Sequence, residues 1–218
     1  MRIQYLGHSC FRLTSTSGVT VVTDPYSGVG YEMPARVTAD VVTVSHGHFD
    51  HNCTQAIESP FVVTDQAQDY EFKDLRIHGV TSFHDPVGGA LRGENVMFTI
   101  EIDGIQVCHF GDLGEACSAE LLRKLGKPDV LLLPIGGTYT ITAEQAKVYV
   151  DELSPKMVIP MHYRPQDGQL DIQSADAFLK LFDANSVEYV KDGEYVLSLA
   201  EWEMGKKKIL YLDRVERI

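Results

Sequence analysis

The run His46-Gly47-His48-Phe49-Asp50-His51 places three imidazoles and one carboxylate within six residues. Imidazole and carboxylate are the groups that bind zinc, and also manganese and iron. If the segment stays extended, side chains two apart lie on one side, so His46 and His48 can hold one ion together. Asp50 and His51 are adjacent, point different ways and can reach a second ion close by. Two ions about 3.5–4 Å apart share one activated water in two-metal hydrolysis. One loop cannot fill two coordination spheres, and the chain offers three more ligand types. These are His84 in Thr81-Ser82-Phe83-His84-Asp85, Asp112 in Cys108-His109-Phe110-Gly111-Asp112, and His162 in Val158-Ile159-Pro160-Met161-His162. Each stands at the end of an apolar, strand-like stretch, so all can meet at one edge of a sheet.

Other residues carry weaker signals. With 107–112 extended, His109 and Asp112 face opposite ways, so His109 reads as a packed histidine or one behind the ligands. His78 in Leu75-Arg76-Ile77-His78 has no ligand-type neighbour and reads as structural or exposed. Asp24 in Thr23-Asp24-Pro25 reads as a carboxylate that holds a ligand histidine from behind, with a strand-end cap as the plainer reading. Arg92, Asn95, Tyr139 and Arg164 lie in or near the motif loops. Each is able to contact an anionic or carbonyl group, and each taken singly reads as a solvated surface residue. Cys53, two residues after His51, reads as a packing residue.

Positioning these groups needs strands that end together. The stretches Arg2–Leu6, Cys10–Thr14 and Val19–Thr23 read as strands, with a hairpin turn at Ser15-Thr16-Ser17-Gly18. Residues 26–39 read as a surface loop. Val41–Val44 is an apolar run that reads as a buried strand delivering the cluster. Further strands are expected at Phe61–Thr64, Leu75–Val80, Val96–Ile102 and Ile105–His109, the last two joined by the hairpin signal Asp103-Gly104. Ser118 caps an expected helix ending near Gly126. Thr142-Ala143-Glu144-Gln145 has the capping-box pattern and opens a helix with Ala146, Tyr149, Val150 and Leu153 on one face, stopped at Ser154-Pro155. A third helix is expected from Ser174, with Phe178, Leu181 and Phe182 on one face and Asn185 as terminator. Strands at Val130–Leu133, Lys156–Pro160, Val187–Val190 and Tyr195–Leu199 interleave with these helices. The lysines Lys206-Lys207-Lys208 before Ile209–Leu212 read as a hairpin turn leading into an edge strand protected by charge. Strands first, then alternating strands and helices, describe sheets covered by helices.

Composition sets bounds. The 218 residues suit one domain, 1–218, with a sizeable core. No stretch approaches a membrane span, and the N-terminus runs directly into a strand with no secretion signal. Four cysteines without a CxxC pair read as reduced thiols in a cytoplasmic protein. A formal net charge of −12 argues against a broad nucleic-acid surface, which needs clustered Lys and Arg, and disfavours anionic membranes. It is compatible with an anionic small substrate, because divalent ions invert the local field. No repeat or low-complexity segment is present.

Taken together, His46-x-His48-x-Asp50-His51, then His84, Asp112 and His162 in that order, resemble the motifs of the metallo-β-lactamase superfamily. The supporting text is Gly7-His8-Ser9-Cys10-Phe11, Thr23-Asp24-Pro25, Gly111-Asp112-Leu113-Gly114, Pro134-Ile135-Gly136-Gly137-Thr138-Tyr139-Thr140 and Pro160-Met161-His162-Tyr163. The nearer resemblance is to small single-domain bacterial and archaeal members related to ascorbate-phosphate lactonases. It implies an α/β (α+β) fold, a four-layer αββα sandwich with the metals at one edge. It also implies His46, His48 and His84 on one ion, Asp50, His51 and His162 on the other, and Asp112 bridging. The chain departs from the family at Glu115, where related sequences often have histidine. The resemblance puts the turn holding His8 near the metal mouth, where His8 can orient substrate or move a proton; a hydrogen-bonded turn residue is the equal alternative. The implied activity is hydrolysis of a small-molecule ester, lactone or phosphoester, or of an amide, with two divalent ions, Zn2+ first and Mn2+ or Fe next. Asp50 and His8 are the candidate catalytic side chains. Two alternatives stand beside it. A di-iron redox enzyme on the same fold is one, although such relatives typically have glutamate in place of His48 and a flavin domain. A non-catalytic metal-binding protein is the other. Thioesterases of the superfamily that act on glutathione adducts add a helical domain, its nucleases add domains or basic arms, and its penicillin-degrading members are exported. Those features are not visible here, and a small-molecule substrate remains.

Overall fold

A computed structural model describes residues 1–198, 202 and 207–216. Two sheets are stacked face to face. The first contains β1 (Arg2–Gly7), β2 (Cys10–Thr14), β3 (Thr20–Thr23), β4 (Val41–Thr43), β5 (Val62–Thr64) and β13 (Glu194–Val196), in the order β13-β1-β2-β3-β4-β5. The second contains β6 (Asp69–Phe72), β7 (Leu75–Phe83), β8 (Glu94–Ile102), β9 (Ile105–His109), β10 (Val130–Pro134), β11 (Met157–Met161), β12 (Val187–Val190) and β14 (Lys208–Leu212), in the order β12-β14-β11-β10-β9-β8-β7-β6.

Side-chain alternation explains how the first sheet is buried on both faces. Ile3, Tyr5, Phe11, Leu13, Val21 and Val41 enter the core shared with the second sheet. Leu6, Cys10, Val22, Val42 and Val44 pack outward against Tyr26, Val29, Val37 and Ile57. The loop after β3 and a 3-10 turn at Thr54–Ala56 thus form the outer layer there. On the second sheet the cover comes from α1 (Ala119–Leu125) and α2 (Ala143–Leu153), with the single turn α3 (Asp176–Leu179) beside α2. Ser118 Oγ accepts from Leu121 N. In α2 both halves of the Thr142–Gln145 capping box form, and Ser154 ends the helix in the left-handed region. The hairpin at Asp103-Gly104 has positive φ at both residues, as a type I′ turn requires.

Three expectations need correction. The helix expected from Ser174 to Asn185 is one α-turn: beyond it Leu181 N and Phe182 N bond to the carbonyls of Phe178 and Leu179 at i−3. That tighter winding leaves Phe178 buried and turns Leu181 outward. Asp183 then takes an extended backbone and caps a 3-10 turn at Ala184–Ser186. The final strand β14 is not at an edge. It lies between β12 and β11 and runs parallel to both, which excludes a hairpin to either. Lys206 lies outside the described residues. The edge strand β6 was not expected, because its polar alternation Asp-Tyr-Glu-Phe hides a four-residue strand. The expected strand Tyr195–Leu199 forms as Glu194–Val196, against β1, and Leu199 lies outside the described residues.

Candidate metal centre

All seven expected ligand residues come from strand ends at one edge of the sandwich. The turn between β1 and β2 supplies His8, the end of β3 supplies Asp24, and the loop after β4 supplies residues 46–51. From the second sheet come His84 after β7, Asp112 after β9 and His162 after β11. The backbone turns sharply here: His8 (φ +53°), Asp24 (+37°) and His162 (+50°) occupy the left-handed region, which is uncommon for non-glycine residues.

The ligand atoms fall into overlapping groups. His46, His48 and His84 form one, with the His46 and His48 rings 4.6 Å apart and Nε2 of His46 3.0 Å from Nδ1 of His48. Asp50, His51 and His162 form another, and His8 joins it. Asp112 lies between them. Its Oδ2 is 3.2 Å from Nε2 of His84 and 3.3 Å from Nε2 of His162, and its Oδ1 is 3.1 Å from Nε2 of His51. His48 is exposed and marks the open side, whereas His51, His84, Asp112 and His162 are buried.

Neighbouring residues set which ring nitrogen faces the cluster. Asp24, wholly buried, accepts from Ser45 N (2.8 Å) and from Nδ1 of His51 (2.8 Å). A carboxylate only accepts, so Nδ1 of His51 carries a proton, and in the neutral ring Nε2 is the nitrogen left with a lone pair. Ser45 Oγ donates to Asp24 and so accepts from Nδ1 of His46 at 2.9 Å, which frees His46 Nε2 in the same way. Asn95, buried between the sheets, donates to Ser82 Oγ and Phe110 O and accepts from Asp112 N at 2.8 Å. Nε2 of His109 donates to Ser9 O at 2.7 Å, and its Nδ1 accepts from Gly111 N. His109 thereby ties the segment leading to Asp112 to the His8–Ser9 turn.

Electrostatics follow from burial and from crowding of like groups. Burial and the neighbouring His162 push His8 down to about 4, against its hydrogen bond to Asp50. Burial and His51 push His46 down to about 3, and burial also lowers His48 and His109. Burial would raise the carboxylates, but the surrounding imidazoles overcome it: Asp50, Asp112 and Asp24 all stay below the usual carboxylate range. His51 is the exception among the rings. Burial would lower it, and Asp112 and Asp24 together raise it well above the ordinary value. Neutral rings and ionised carboxylates are the forms that bind metal. Nε2 of His51 and Oδ1 of Asp112 are buried and lack an aligned hydrogen bond, although they lie 3.1 Å apart. Such a pair is costly unless something else binds both atoms. The donor set of imidazole nitrogens and carboxylate oxygens therefore fits divalent ions such as zinc.

The remaining candidates divide. Asn95 is not a surface contact but the residue that holds Asp112, and Ser45 was missed altogether. Asp85, next to His84, accepts from the backbone N–H groups of Val87, Gly89, Leu91 and Arg92 at 2.8–2.9 Å, so the loop beyond the ligand is wrapped around one carboxylate. Arg92 lies over the Tyr139 ring, 5.6 Å from its centroid. Arg164 is exposed and outside the cluster. His78 is exposed and pairs with Asp69 across β6 and β7. Glu115 accepts from Phe83 N. Cys53 is buried, and all four cysteines are free. Among the described residues no helix is long and apolar enough to cross a membrane.

Comparison with known proteins bears on the family and the fold. Residues 2–162 match the family model described as the beta-lactamase superfamily domain. A metal-dependent hydrolase of Methanoregula boonei is 33% identical over 186 residues, covering 75% of this chain and 82% of that protein. Among solved structures, a Thermotoga maritima protein described as a Zn-dependent hydrolase of the metallo-beta-lactamase superfamily is 38% identical. It superimposes with a TM-score of 0.80 over 98% of each chain. A metallo hydrolase from Ignicoccus hospitalis is 25% identical, with a TM-score of 0.59 over 78% of this chain and 86% of that one. The chain belongs to the beta-lactamase superfamily, and its fold is the two-sheet fold of that family.

Proposed function

We propose that this metal-dependent hydrolase works with two divalent ions, Zn2+ before Mn2+ or Fe, on a small-molecule ester, lactone or phosphoester. His46, His48 and His84 hold one ion, Asp50, His51 and His162 the other, and Asp112 serves both. The observation that carries the reading is the position of Asp112, within 3.3 Å of ring nitrogens from both groups. Bound ions of this kind acidify a water enough for it to ionise near neutral pH and polarise a carbonyl or phosphoryl oxygen.

The chain's own contribution is order and charge. Asp24 and Ser45 fix the tautomers of His51 and His46, and Asn95 fixes Asp112. Asp50 is held ionised beside His8, with Nε2 of His8 3.2 Å from its Oδ2, so Asp50 is available to accept a hydrogen bond from an attacking water and orient it. The substrate enters on the side opened by His48, and Arg92, in the loop that follows His84, suits a substrate with an anionic group. The site belongs to a cytoplasmic protein acting on a diffusible molecule.

Protein purified without added metal should contain close to two equivalents of zinc or manganese by elemental analysis. His48→Ala and Asp112→Ala should each lower that content and abolish turnover on a lactone and phosphodiester panel. Full metal and full turnover in both variants would falsify the assignment, and iron with visible absorbance would redirect it to redox chemistry.

A further inference from the structure

The two ligand groups are unequal, and His8 makes them so. Its Nε2 lies with the ligand atoms of Asp50, His51 and His162, all within 4.8 Å of one another. The ring centroid of His8 is 4.3 Å from that of His162 and 5.0 Å from that of His51, and the residue is only 1% exposed. A ring so enclosed is poorly placed to meet a substrate arriving from solvent. Its backbone lies at φ +53°, in the left-handed region that glycine enters more easily than histidine. The chain holds this conformation with three hydrogen bonds. His8 N donates to Tyr31 Oη at 3.0 Å, and His8 O accepts from Tyr5 Oη at 3.0 Å and from His162 N at 2.9 Å. The last bond fastens His8 directly to another residue of the same group. What this conformation achieves is to aim an imidazole at the space that Asp50, His51 and His162 share.

We propose that His8 is a direct protein ligand of the ion held by Asp50, His51 and His162. That ion then has three imidazoles and a carboxylate of its own, with Asp112 shared, whereas the other has three imidazoles and Asp112. The better-furnished site fills first and holds its ion more tightly. The inference rests on the two-ion reading and adds to it a ligand and an order of filling.

Zn2+ titration of the whole protein against a chromophoric chelator tests it, with His8→Gly as the variant. Glycine suits the backbone at this position, so thermal melting of the metal-free variant should equal or exceed that of the metal-free parent. The parent should bind two equivalents with distinct affinities. His8→Gly should weaken the tighter one at least about tenfold, and added imidazole should restore it by occupying the vacated volume. His48→Ala should instead lose the weaker equivalent and keep the tighter. Two equivalents of unchanged affinity in His8→Gly overturn the inference while leaving the two-ion reading intact. Weakening that imidazole does not restore also overturns it, because His8 then acts only by holding Asp50. A parent that binds fewer than two equivalents overturns both.

Discussion

At the scale of single residues, the groups behind the ligands set the geometry. Asp24 touches no candidate ion, yet it fixes the proton of His51 on Nδ1 and holds Ser45 through two hydrogen bonds. Asp24→Asn removes the charge and offers an amide donor to a nitrogen that must itself donate. Zinc affinity should fall about 10- to 100-fold by chelator competition; unchanged affinity would remove Asp24 from this role. Asp85 acts on the loop. Burial would raise its carboxyl, but four backbone N–H groups, those of Arg92, Leu91, Val87 and Gly89, hold it down at about 2. A depressed carboxylate contributes stability above its unfolded pKa and loses it as pH falls through the folded one. Protection of the Leu91 and Arg92 amides from hydrogen exchange should therefore persist down to about pH 4 and disappear toward pH 2. Asp85→Ala should abolish it at every pH. The seven ligand-type residues were legible in the sequence because their chemistry is concentrated and spaced. Asn95, Ser45, Tyr5 and Tyr31 were not, since an ordinary polar residue gains its role only when folding brings it to a distant partner, as Asn95 meets Asp112 seventeen positions away.

At the scale of elements, local chemistry predicted what local chemistry decides. The Asp103-Gly104 hairpin and the caps of α1 and α2 are written in adjacent residues, and they form as expected. The pairing of β14 between β12 and β11 depends on partners far along the chain, and no periodicity in Lys208–Leu212 encodes it. The shortening of α3 came from competition. Phe178 is buried in the core with Leu179 and Phe182 packed beside it without a longer helix, and Asp183 caps its own turn instead of extending the helix. The capping box of α2 permits a clean test. Thr142 Oγ1 accepts from Gln145 N, and Gln145 Oε1 accepts from Thr142 N at 2.9 Å. Thr142→Ala should cost about 1 kcal/mol in urea unfolding. Adding Gln145→Ala should then cost less than that change does alone, because the two bonds are halves of one device; strictly additive losses would show that they act separately.

At the scale of the whole molecule, the candidate metal centre lies at the edge where the two sheets meet, beside the backbone bonds from His162 N to His8 O and from Val96 N to Ser45 O. His8, Asp24 and residues 46–51 belong to the first sheet, and His84, Asp112 and His162 to the second. The site concentrates three buried or half-buried carboxylates, Asp24, Asp50 and Asp112, in a chain whose net charge is already −12. Divalent ions held by the proposed ligands would neutralise that charge and cross-link the two layers, so stability should be linked to metal concentration. A ligand that binds only the folded state stabilises it by RT ln(1 + [L]/Kd), about 4 kcal/mol at a thousandfold excess over Kd. For a chain of this length each kcal/mol moves the melting midpoint by roughly 2–4 °C. Chelation should therefore lower the midpoint by roughly 8–16 °C, and restoring zinc should recover it, with the midpoint rising as the logarithm of free zinc. In Asp112→Ala, where the residue common to both groups is gone, that dependence should flatten. A midpoint indifferent to chelator in the parent would mean that packing between the sheets, not the ions, holds this edge of the sandwich together.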